Sequence, residues 1–188
     1  MNARLLWCCA AGLAFSGVAI AADAPAAPKP TPEHEKLGYF VGKWTMEGEM
    51  KESPMGPGGK LTSKDNCQWF EGKFAVVCNS TGTSPMGPTK ALGILSYSAD
   101  EKAYTYYGVD NSGMTQVTVP RGTHEGDTWT YNDESKMGGK AVKQRYTIKE
   151  VSANEYTFKF EMQGDDGKWI EVVSGKETKP AAASKKKK

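Results

Sequence analysis

The chain has 188 residues, of which 38% are hydrophobic, 10% aromatic and 24% charged. This composition is typical of one globular domain with a sizeable core, and it excludes an intrinsically disordered chain. The formal charge is +2, but without Arg4 and the four C-terminal lysines the body carries −3, which argues against nucleic acid as a partner because phosphate binding requires a basic surface.

The beginning of the chain has the pattern of a secretory signal peptide. Arg4 supplies the positive charge, residues 5–20 the apolar segment, and Ala19-Ile20-Ala21 a cleavage site of small residues. Cys8 and Cys9 would be removed with this leader. We therefore expect export, with a periplasmic or secreted mature protein. An uncleaved membrane anchor is the alternative, because the apolar segment is nearly long enough to span a bilayer.

A short helix is predicted after an extended spacer that is rich in alanine and proline. Thr31 is a typical N-cap residue and Pro32 occupies the first helical position. Apolar side chains then recur at helical spacing at Leu37, Phe40 and Val41. Gly42 can end the helix, which gives two or three turns with one apolar face.

From Lys43 onward apolar and polar residues alternate with a period of two, which predicts β-strands. Ten strands are predicted, at residues 43–52, 61–71, 74–82, 90–97, 102–109, 114–120, 127–132, 140–149, 155–163 and 168–178. The connections are short, which favours antiparallel pairing of strands that follow one another. Ten such strands favour a closed up-and-down barrel over an open sheet with bare edges. The fold class is therefore an all-β antiparallel barrel with a short N-terminal helix plugging one end.

The clearest local signal is a hairpin centred on Gly72-Lys73, a two-residue loop that matches strand twist. A turn there places Trp69 opposite Val76 and Cys67 opposite Cys78. These two cysteines are all that remain after removal of the leader, and an oxidising compartment favours their pairing. A disulfide between Cys67 and Cys78 is therefore predicted.

Several segments carry a resemblance to known families. Gly42-Lys43-Trp44 is similar to the G-x-W entry of lipocalin-like (calycin) barrels. The wider pattern resembles the bacterial domain-of-unknown-function family 1579 over residues 33–178, through the segments Leu37–Trp44, Trp69–Phe74, Leu92–Tyr97 and Asp110–Gly113. Ser96-Tyr97-Ser98 departs from the Gly-Tyr-Asp turn expected there. The resemblance implies a lipocalin-like barrel without an established activity, and it transfers no catalytic residues.

In this topology a group of methionines falls at the mouth, the end of the barrel that the helix does not plug. The group comprises Met55, Met86, Met114, Met137 and Met162. Flexible methionines can close an opening as an apolar lid, or they can form an adaptable portal for an apolar or amphipathic ligand. A third interpretation is a soft-metal site, because thioethers select Cu(I).

The inward positions of the strands predict a ligand pocket. Its candidate residues are Trp44, Met46, Trp69, Trp129, Tyr131, Gln144, Tyr146, Phe158 and Phe160. Other inward positions are Phe74, Val76, Ile148, Tyr156 and the polar residues Ser63, Asp65, Ser80 and Gln116. An apolar cavity with a few polar groups is typical of a small-molecule site. The alternative is a solid core, because a small barrel can be filled by its own side chains.

The remaining chemistry-bearing residues form no recognisable site. His34 and His124, the latter in the loop between the sixth and seventh strands, both fall at the plugged end without matching ligands for a metal. A nucleophile elbow, a metalloprotease motif and a phosphate loop are missing from the sequence. We expect neither enzymatic activity nor a cofactor.

The predicted organisation is a signal peptide, a spacer, a barrel domain and a disordered basic tail, at residues 1–22, 23–30, 31–179 and 180–188. Membrane contact is not expected beyond the leader and the lysine tail. The four terminal lysines could contact anionic lipid, but a solvated end is favoured. The leading hypothesis is an exported barrel that binds a small apolar or amphipathic molecule. The alternative is a structural or interaction domain of the cell envelope with a filled core.

Overall fold

The computed structural model describes residues 27–53, 56–113, 118–137 and 139–180. A helix α1 (Pro32–Lys36) is followed by a 3-10 turn (Leu37–Phe40). The strands are β1 (Gly42–Met50), β2 (Gly59–Trp69), β3 (Ala75–Ser84), β4 (Gly87–Ser98), β5 (Ala103–Asp110), β6 (Arg121–Glu125), β7 (Thr128–Met137), β8 (Lys140–Ser152), β9 (Glu155–Gln163) and β10 (Trp169–Thr178). No helix within these described ranges is long and apolar enough to cross a membrane.

The strands form a closed antiparallel barrel in which each strand pairs with the next and β1 pairs with β10. This confirms the predicted up-and-down topology. The pairing of β1 with β10 joins Met46 to Glu177 and Gly48 to Gly175, so the last strand closes the wall beside the first. Closure leaves no sheet edge along this seam, where backbone groups would otherwise lack partners.

The position predicted for the sixth strand is wrong. It was expected at residues 114–120, but β6 begins at Arg121, one residue after Pro120. Proline has no backbone N–H and cannot contribute a donor to a ladder, so the strand starts after it. The predicted inward residue Gln116 lies outside the described residues. His124, expected in a loop, lies instead in β6 opposite Trp129.

The helix and the 3-10 turn close one end of the barrel, as predicted. The Thr31 backbone N–H donates to Nδ1 of His34 (3.1 Å), which caps the start of α1. The turn then buries Leu37 and Phe40 in the barrel core. The buried side chains around this plug, which we call the plug core, are Leu37, Phe40, Trp44, Cys67, Val76, Leu95, Tyr104, Trp129, Ile148 and Tyr156.

The β2–β3 hairpin has the predicted register but a wider loop. Trp69 lies opposite Val76 and Cys67 opposite Cys78. A 3-10 turn covers Glu71–Lys73, and the last backbone hydrogen bond joins the N–H of Phe70 to the carbonyl of Ala75. Phe74, expected at an inward strand position, therefore lies in the loop. Its ring packs on the edge of His34, with ring centroids 5.2 Å apart.

The predicted disulfide joins Cys67 and Cys78, eleven positions apart in the sequence. We expect the double substitution Cys67→Ala and Cys78→Ala to lower the free energy of unfolding by about 2–3 kcal/mol, because the bridge restricts the unfolded chain. Urea denaturation of the oxidised protein and the variant measures the difference.

Wild-type protein treated with a phosphine reductant is the matched control and should unfold at the same urea concentration as the variant. An unchanged unfolding midpoint in the variant would contradict the expected contribution.

Candidate functional site

The middle of the barrel interior carries polar side chains in place of a continuous apolar core. They are Ser63, Asp65, Ser80, Tyr106, Tyr131, Tyr146, Tyr156 and Glu177. Strand pairing brings them together, because Asp65 lies opposite Ser80, Tyr131 opposite Tyr146, and Tyr156 opposite Glu177. These residues form one polar layer, which meets the plug core at Tyr156.

Asp65 is held in place by hydroxyl groups. It is only 9% exposed. Ser63 Oγ donates to both of its carboxylate oxygens, at 2.9 Å to Oδ2 and 3.1 Å to Oδ1. Ser80 Oγ, on β3, donates to Oδ1. A buried carboxylate requires such donors, because the loss of hydration must be offset.

Glu177 reaches the same place from the other side of β1. Its carboxyl hydrogen-bonds to Asp65 and accepts from the Tyr156 hydroxyl. Burial and then the negative charge of Asp65 raise the pKa of Glu177 to about 8, although the Tyr156 hydrogen bond lowers it. At neutral pH Glu177 therefore keeps its proton, and we call Asp65 and Glu177 the carboxyl pair.

Among the described residues, no basic side chain balances the carboxyl pair. Within the described part of the chain, neither Asp65 nor Glu177 forms an ion pair with a lysine, arginine or histidine side chain. The described residues also contain no group of three or more histidine, cysteine, aspartate and glutamate side chains able to hold a metal ion. The proton on Glu177 reduces the charge of the pair.

Tyrosine hydroxyl groups surround this pair. Burial, followed by the charge of Glu177, raises the pKa of Tyr146 well above its usual value. Burial also raises the pKa of Tyr106, to which the charges of Asp65 and Glu177 contribute. The Tyr131 side chain is 3% exposed, and its hydroxyl has no hydrogen-bond partner among the described residues. A buried hydroxyl without a partner costs about 1–3 kcal/mol.

Two glycines that face each other in the barrel wall leave room for the Tyr106 side chain. Gly93 and Gly108 lie opposite each other on β4 and β5. A Cβ atom at Gly93 would lie 3.1 Å from Cε2 of Tyr106, and one at Gly108 would lie 3.0 Å from its hydroxyl oxygen. The Tyr106 side chain follows the inner wall, yet the residue remains 39% exposed. Because Tyr106 faces inward, this exposed surface indicates space inside the barrel.

The wall beside the carboxyl pair is apolar. Met46 lies opposite Glu177 on β1, and Phe158 packs where Gly48 faces Gly175. A Cβ atom at Gly175 would come within 2.8 Å of the Phe158 ring, so this position must be glycine for the ring to lie there. An apolar wall next to a polar layer suits a molecule with one apolar and one polar end.

The structure divides the predicted pocket residues into two groups. Trp44 and Trp129 are fully buried in the plug core, where Trp44 lies opposite Asp65 and packs on Tyr156. Trp69 packs near Gly38. The predicted pocket residues that face inward beyond the plug core are Met46, Tyr131, Gln144, Tyr146, Phe158 and Phe160.

The predicted methionine group lies only partly within the described residues. Met55 and Met114 lie outside them, as does the side chain of Met137. Met162 is buried near the end of β9, and Met86 is 55% exposed in the turn between β3 and β4. Both belong to the mouth, which the plug does not reach. The lid, portal and soft-metal interpretations all stay predictions.

The histidines lie at the plugged end, on or beside the plug core. His34 is buried in α1. His124 stacks on Trp129 with ring centroids 4.0 Å apart, and its Nε2 lies 3.5 Å from Oε1 of Glu150. Burial lowers the pKa of His124, so the imidazole is neutral at neutral pH. A neutral histidine that stacks in this way supports packing.

Sequence reasoning placed Asp65 inside the barrel but missed Glu177 and Tyr106. A β-bulge between Glu171 and Val173 changes the alternation of β10, so a count from Trp169 does not give a single inward face along the strand. The available signal was Gly175, because a glycine in a strand often marks close approach of another group. Counting from it would have placed Glu177 on the inner face.

Known proteins share this fold at low sequence identity. Rv2717c from M. tuberculosis superposes with a TM-score of 0.55 and 13% identity, over 80% of this chain and 98% of that one. The S-type phycobiliprotein lyase CPES from Guillardia theta gives a TM-score of 0.54 and 13% identity, over 80% of this chain and 93% of that one. Both show the lipocalin-like barrel fold. No curated protein matches the sequence.

The family assignment comes from the sequence itself. The family described as "Protein of unknown function (DUF1579)" matches residues 29–179, which contain the helix and every strand of the barrel. This agrees with the resemblance found in the segments around the plug and the hairpin. The chain belongs to the DUF1579 family of lipocalin-like barrels.

Proposed function

We propose that this protein is an exported binding protein whose barrel interior holds a small amphipathic molecule. The observation that carries the proposal is the Tyr131 hydroxyl, which is buried in the barrel interior without a partner among the described residues. Buried polar groups in folded proteins nearly always have partners. A ligand that enters the interior would supply one.

The surroundings of Tyr131 support the same conclusion. Opposite it lies Tyr146, and the inward-facing Tyr106 keeps accessible surface. A barrel whose only role were stability would gain more from apolar side chains here, because buried carboxyls are expensive. We therefore infer that the polar layer is retained to contact the polar end of a bound molecule, while the Phe158 wall contacts the apolar end.

The test is the native mass of the protein purified from the periplasm, compared with its denatured mass. We expect a stoichiometric excess that disappears on denaturation, with the size of a small organic molecule. A native mass equal to that of the chain alone, in protein purified without detergent or organic solvent, would contradict the proposal. The denatured mass also reports whether the predicted leader has been removed.

Tyr131→Phe separates binding from stability. Loss of one hydrogen bond should reduce the loaded fraction in native spectra, with affinity about 2–10-fold lower. The unliganded variant should unfold at the same or a higher temperature than wild type, because an unpartnered hydroxyl is removed. Tyr107→Phe is the matched control, since Tyr107 lies on the outer face of the same strand as Tyr106 and is 40% exposed.

An equal loaded fraction in Tyr131→Phe and wild type would show that this hydroxyl does not contact the molecule. A reduced fraction in Tyr107→Phe as well would indicate a general loss of folded protein instead of a lost contact.

The second candidate is a structural or interaction domain of the cell envelope. The plug core favours it, because Trp44 packs there edge to face on Tyr156 and Trp129 packs edge to face on Phe40. This interpretation expects no bound molecule and an unfolding temperature that added amphiphiles do not change. The same native mass measurement separates the two candidates.

A further inference from the structure

A cleft at the plugged end of the barrel is separate from the polar layer. It has a volume of about 260 Å³ and lies between α1 and the strands β4, β5 and β6. The side chains that line this plug cleft include Glu33, Lys36, Lys102, Tyr104, His124 and Glu125. The residues of the polar layer do not border the plug cleft, so it is a different place from the interior site.

The phenol of Tyr104 is a buried polar group in the wall of the plug cleft. Tyr104 is 4% exposed, and its hydroxyl has no hydrogen-bond partner among the described residues. Its ring packs on Tyr97 and Trp129, with centroids 5.0 and 4.7 Å away. Burial, followed by the negative charge of Glu33 on the facing wall, raises the pKa of Tyr104 to about 12. A buried hydroxyl seldom lacks a partner, and a molecule in the plug cleft would supply one.

His124 borders the plug cleft beside Tyr104. The two rings lie edge to face with centroids 6.4 Å apart. The Nε2 atom of His124 is buried 3.5 Å from Oε1 of Glu150, which is longer than an ordinary N–H···O hydrogen bond. Two neighbouring polar groups in this wall therefore have incomplete hydrogen bonding within the described part of the chain.

Each wall of the plug cleft carries one acid and one base. On α1, Glu33 and Lys36 are three positions apart and share one face of the helix. On the other wall, Lys102 precedes β5 and Glu125 ends β6. In the described ranges none of these four side chains forms an ion pair. Their charges are therefore free to act on a bound molecule.

We propose that the plug cleft binds a small zwitterion, a molecule with one ammonium and one carboxylate group, such as a free amino acid. The ammonium group lies toward Glu33 and donates to the hydroxyl oxygen of Tyr104. The carboxylate group lies toward Lys36. This site is additional to the interior binding of the proposed function and does not rest on it.

The charges in the two walls favour a zwitterion over simpler ions. A cation without a carboxylate would be repelled by Lys36 and Lys102, and an anion without an ammonium group would be repelled by Glu33 and Glu125. A zwitterion meets an opposite charge at each end and leaves the net charge unchanged. The volume of about 260 Å³ is smaller than that of pockets for drug-sized ligands. This size suits a molecule no larger than a single amino acid.

The experiment compares three probes that share one carbon skeleton, namely alanine, alaninamide and N-acetylalanine. At pH 7 they are mainly a zwitterion, a cation and an anion. Each is titrated into the purified protein and followed by NMR through the imidazole signals of His124. His34 is the other histidine of the sequence and is not in the lining, so its signals are the internal reference. We expect alanine to bind at least about tenfold more tightly than either analogue, because each analogue lacks one charged contact.

Tyr104→Phe tests the buried hydroxyl. It should lower the affinity for alanine by about 2–10-fold without lowering the melting temperature, because the hydroxyl has no partner in the unliganded protein. Tyr107→Phe is the matched control, since Tyr107 lies on the outer face of the same strand. This control should bind alanine like wild type.

Glu33→Gln tests the charge that faces the ammonium group. The preference for alanine over N-acetylalanine should fall by about 2–5-fold, as expected for a charge at the rim of a cleft. Glu35→Gln is the matched control, because Glu35 is exposed on the same helix and does not line the plug cleft. It should retain the wild-type preference.

Several outcomes would overturn the zwitterion site. They are equal binding of alanine and either analogue, an unchanged affinity in Tyr104→Phe, an unchanged preference in Glu33→Gln, and His124 signals that no probe shifts. Each of these leaves interior binding intact, because the native mass and Tyr131→Phe test a different part of the barrel. Circular dichroism of each variant establishes that it is folded.

Discussion

Trp129→Ala is expected to lower the free energy of unfolding by about 3–5 kcal/mol, the largest effect of a single substitution in this barrel. Trp129 is 0% exposed. Its ring packs edge to face on Tyr104 and Phe40, with centroids 4.7 and 5.1 Å away, and stacks on His124. Its indole N–H donates to Oε1 of Glu150 (2.7 Å). Truncation would leave a cavity and a carboxylate without its donor.

Urea denaturation followed by circular dichroism measures this change. Trp169→Ala is the matched control, because Trp169 is half-buried at the start of β10 and contacts Arg145 through one face of its ring. Trp169→Ala should lower the free energy of unfolding by about 1 kcal/mol or less. Equal losses in the free energy of unfolding of the two variants would contradict a larger contribution of the plug core to stability.

The location of Trp129 also changes what its substitution can reveal. The sequence placed it among the pocket residues, where truncation would weaken ligand binding directly. In the structure it belongs to the plug core and stabilises the end of the barrel. A loss of binding in Trp129→Ala would therefore follow from lost stability, whereas Tyr131→Phe and Glu177→Gln test contacts with the ligand.

The barrel could be predicted because each strand obeys a simple alternation. In β9, apolar residues such as Tyr156 and Phe158 face the interior and the residues between them face solvent. The β2–β3 register followed from the turn, since closing it at Gly72 places the two cysteines opposite each other. Short connections then limited the topology to neighbouring antiparallel strands.

The polar layer could be predicted only in part, because inward-facing acids break the rule that was used to find the strands. Asp65 was recognised since β2 alternates regularly up to Trp69. Glu177 was not recognised as an inward-facing residue, because the bulge in β10 shifts the alternation of inward and outward positions. A glutamate in a strand is also normally assigned to the outer face. Asp65 and Glu177 come together because β10 pairs with β1 and closes the barrel. No local sequence pattern predicts that pairing.

Glu177→Gln is expected to stabilise the unliganded protein at alkaline pH and to leave it almost unchanged at pH 5. The pKa of Glu177 is about 8 in the folded protein, against an ordinary value of 4.5. Between these values the folded chain keeps a proton that the unfolded chain has released, so stability falls as the pH rises through this window. Below pH 4.5 both states hold the proton and the loss is absent.

Glutamine has the same shape as the protonated acid but cannot lose that proton. Its amide can donate to Asp65 and accept from Tyr156, as protonated Glu177 does. At pH 8.5 we expect the variant to be more stable by about 2–4 kcal/mol, a value reduced for partial solvent screening. For a domain of this size, that corresponds to a melting temperature roughly 5–15 °C higher.

Thermal melts of wild type, Glu177→Gln and Glu47→Gln at pH 5 and pH 8.5 provide the measurement. Glu47→Gln is the matched control, because the Glu47 side chain is exposed on the outer face of β1. The difference between wild type and Glu177→Gln isolates this one group, because every other titrating group is common to both chains. A constant difference at the two pH values would show that Glu177 titrates normally. A gain at pH 8.5 alone would show that Glu177 carries a cost in stability that a purely structural barrel would have no reason to retain.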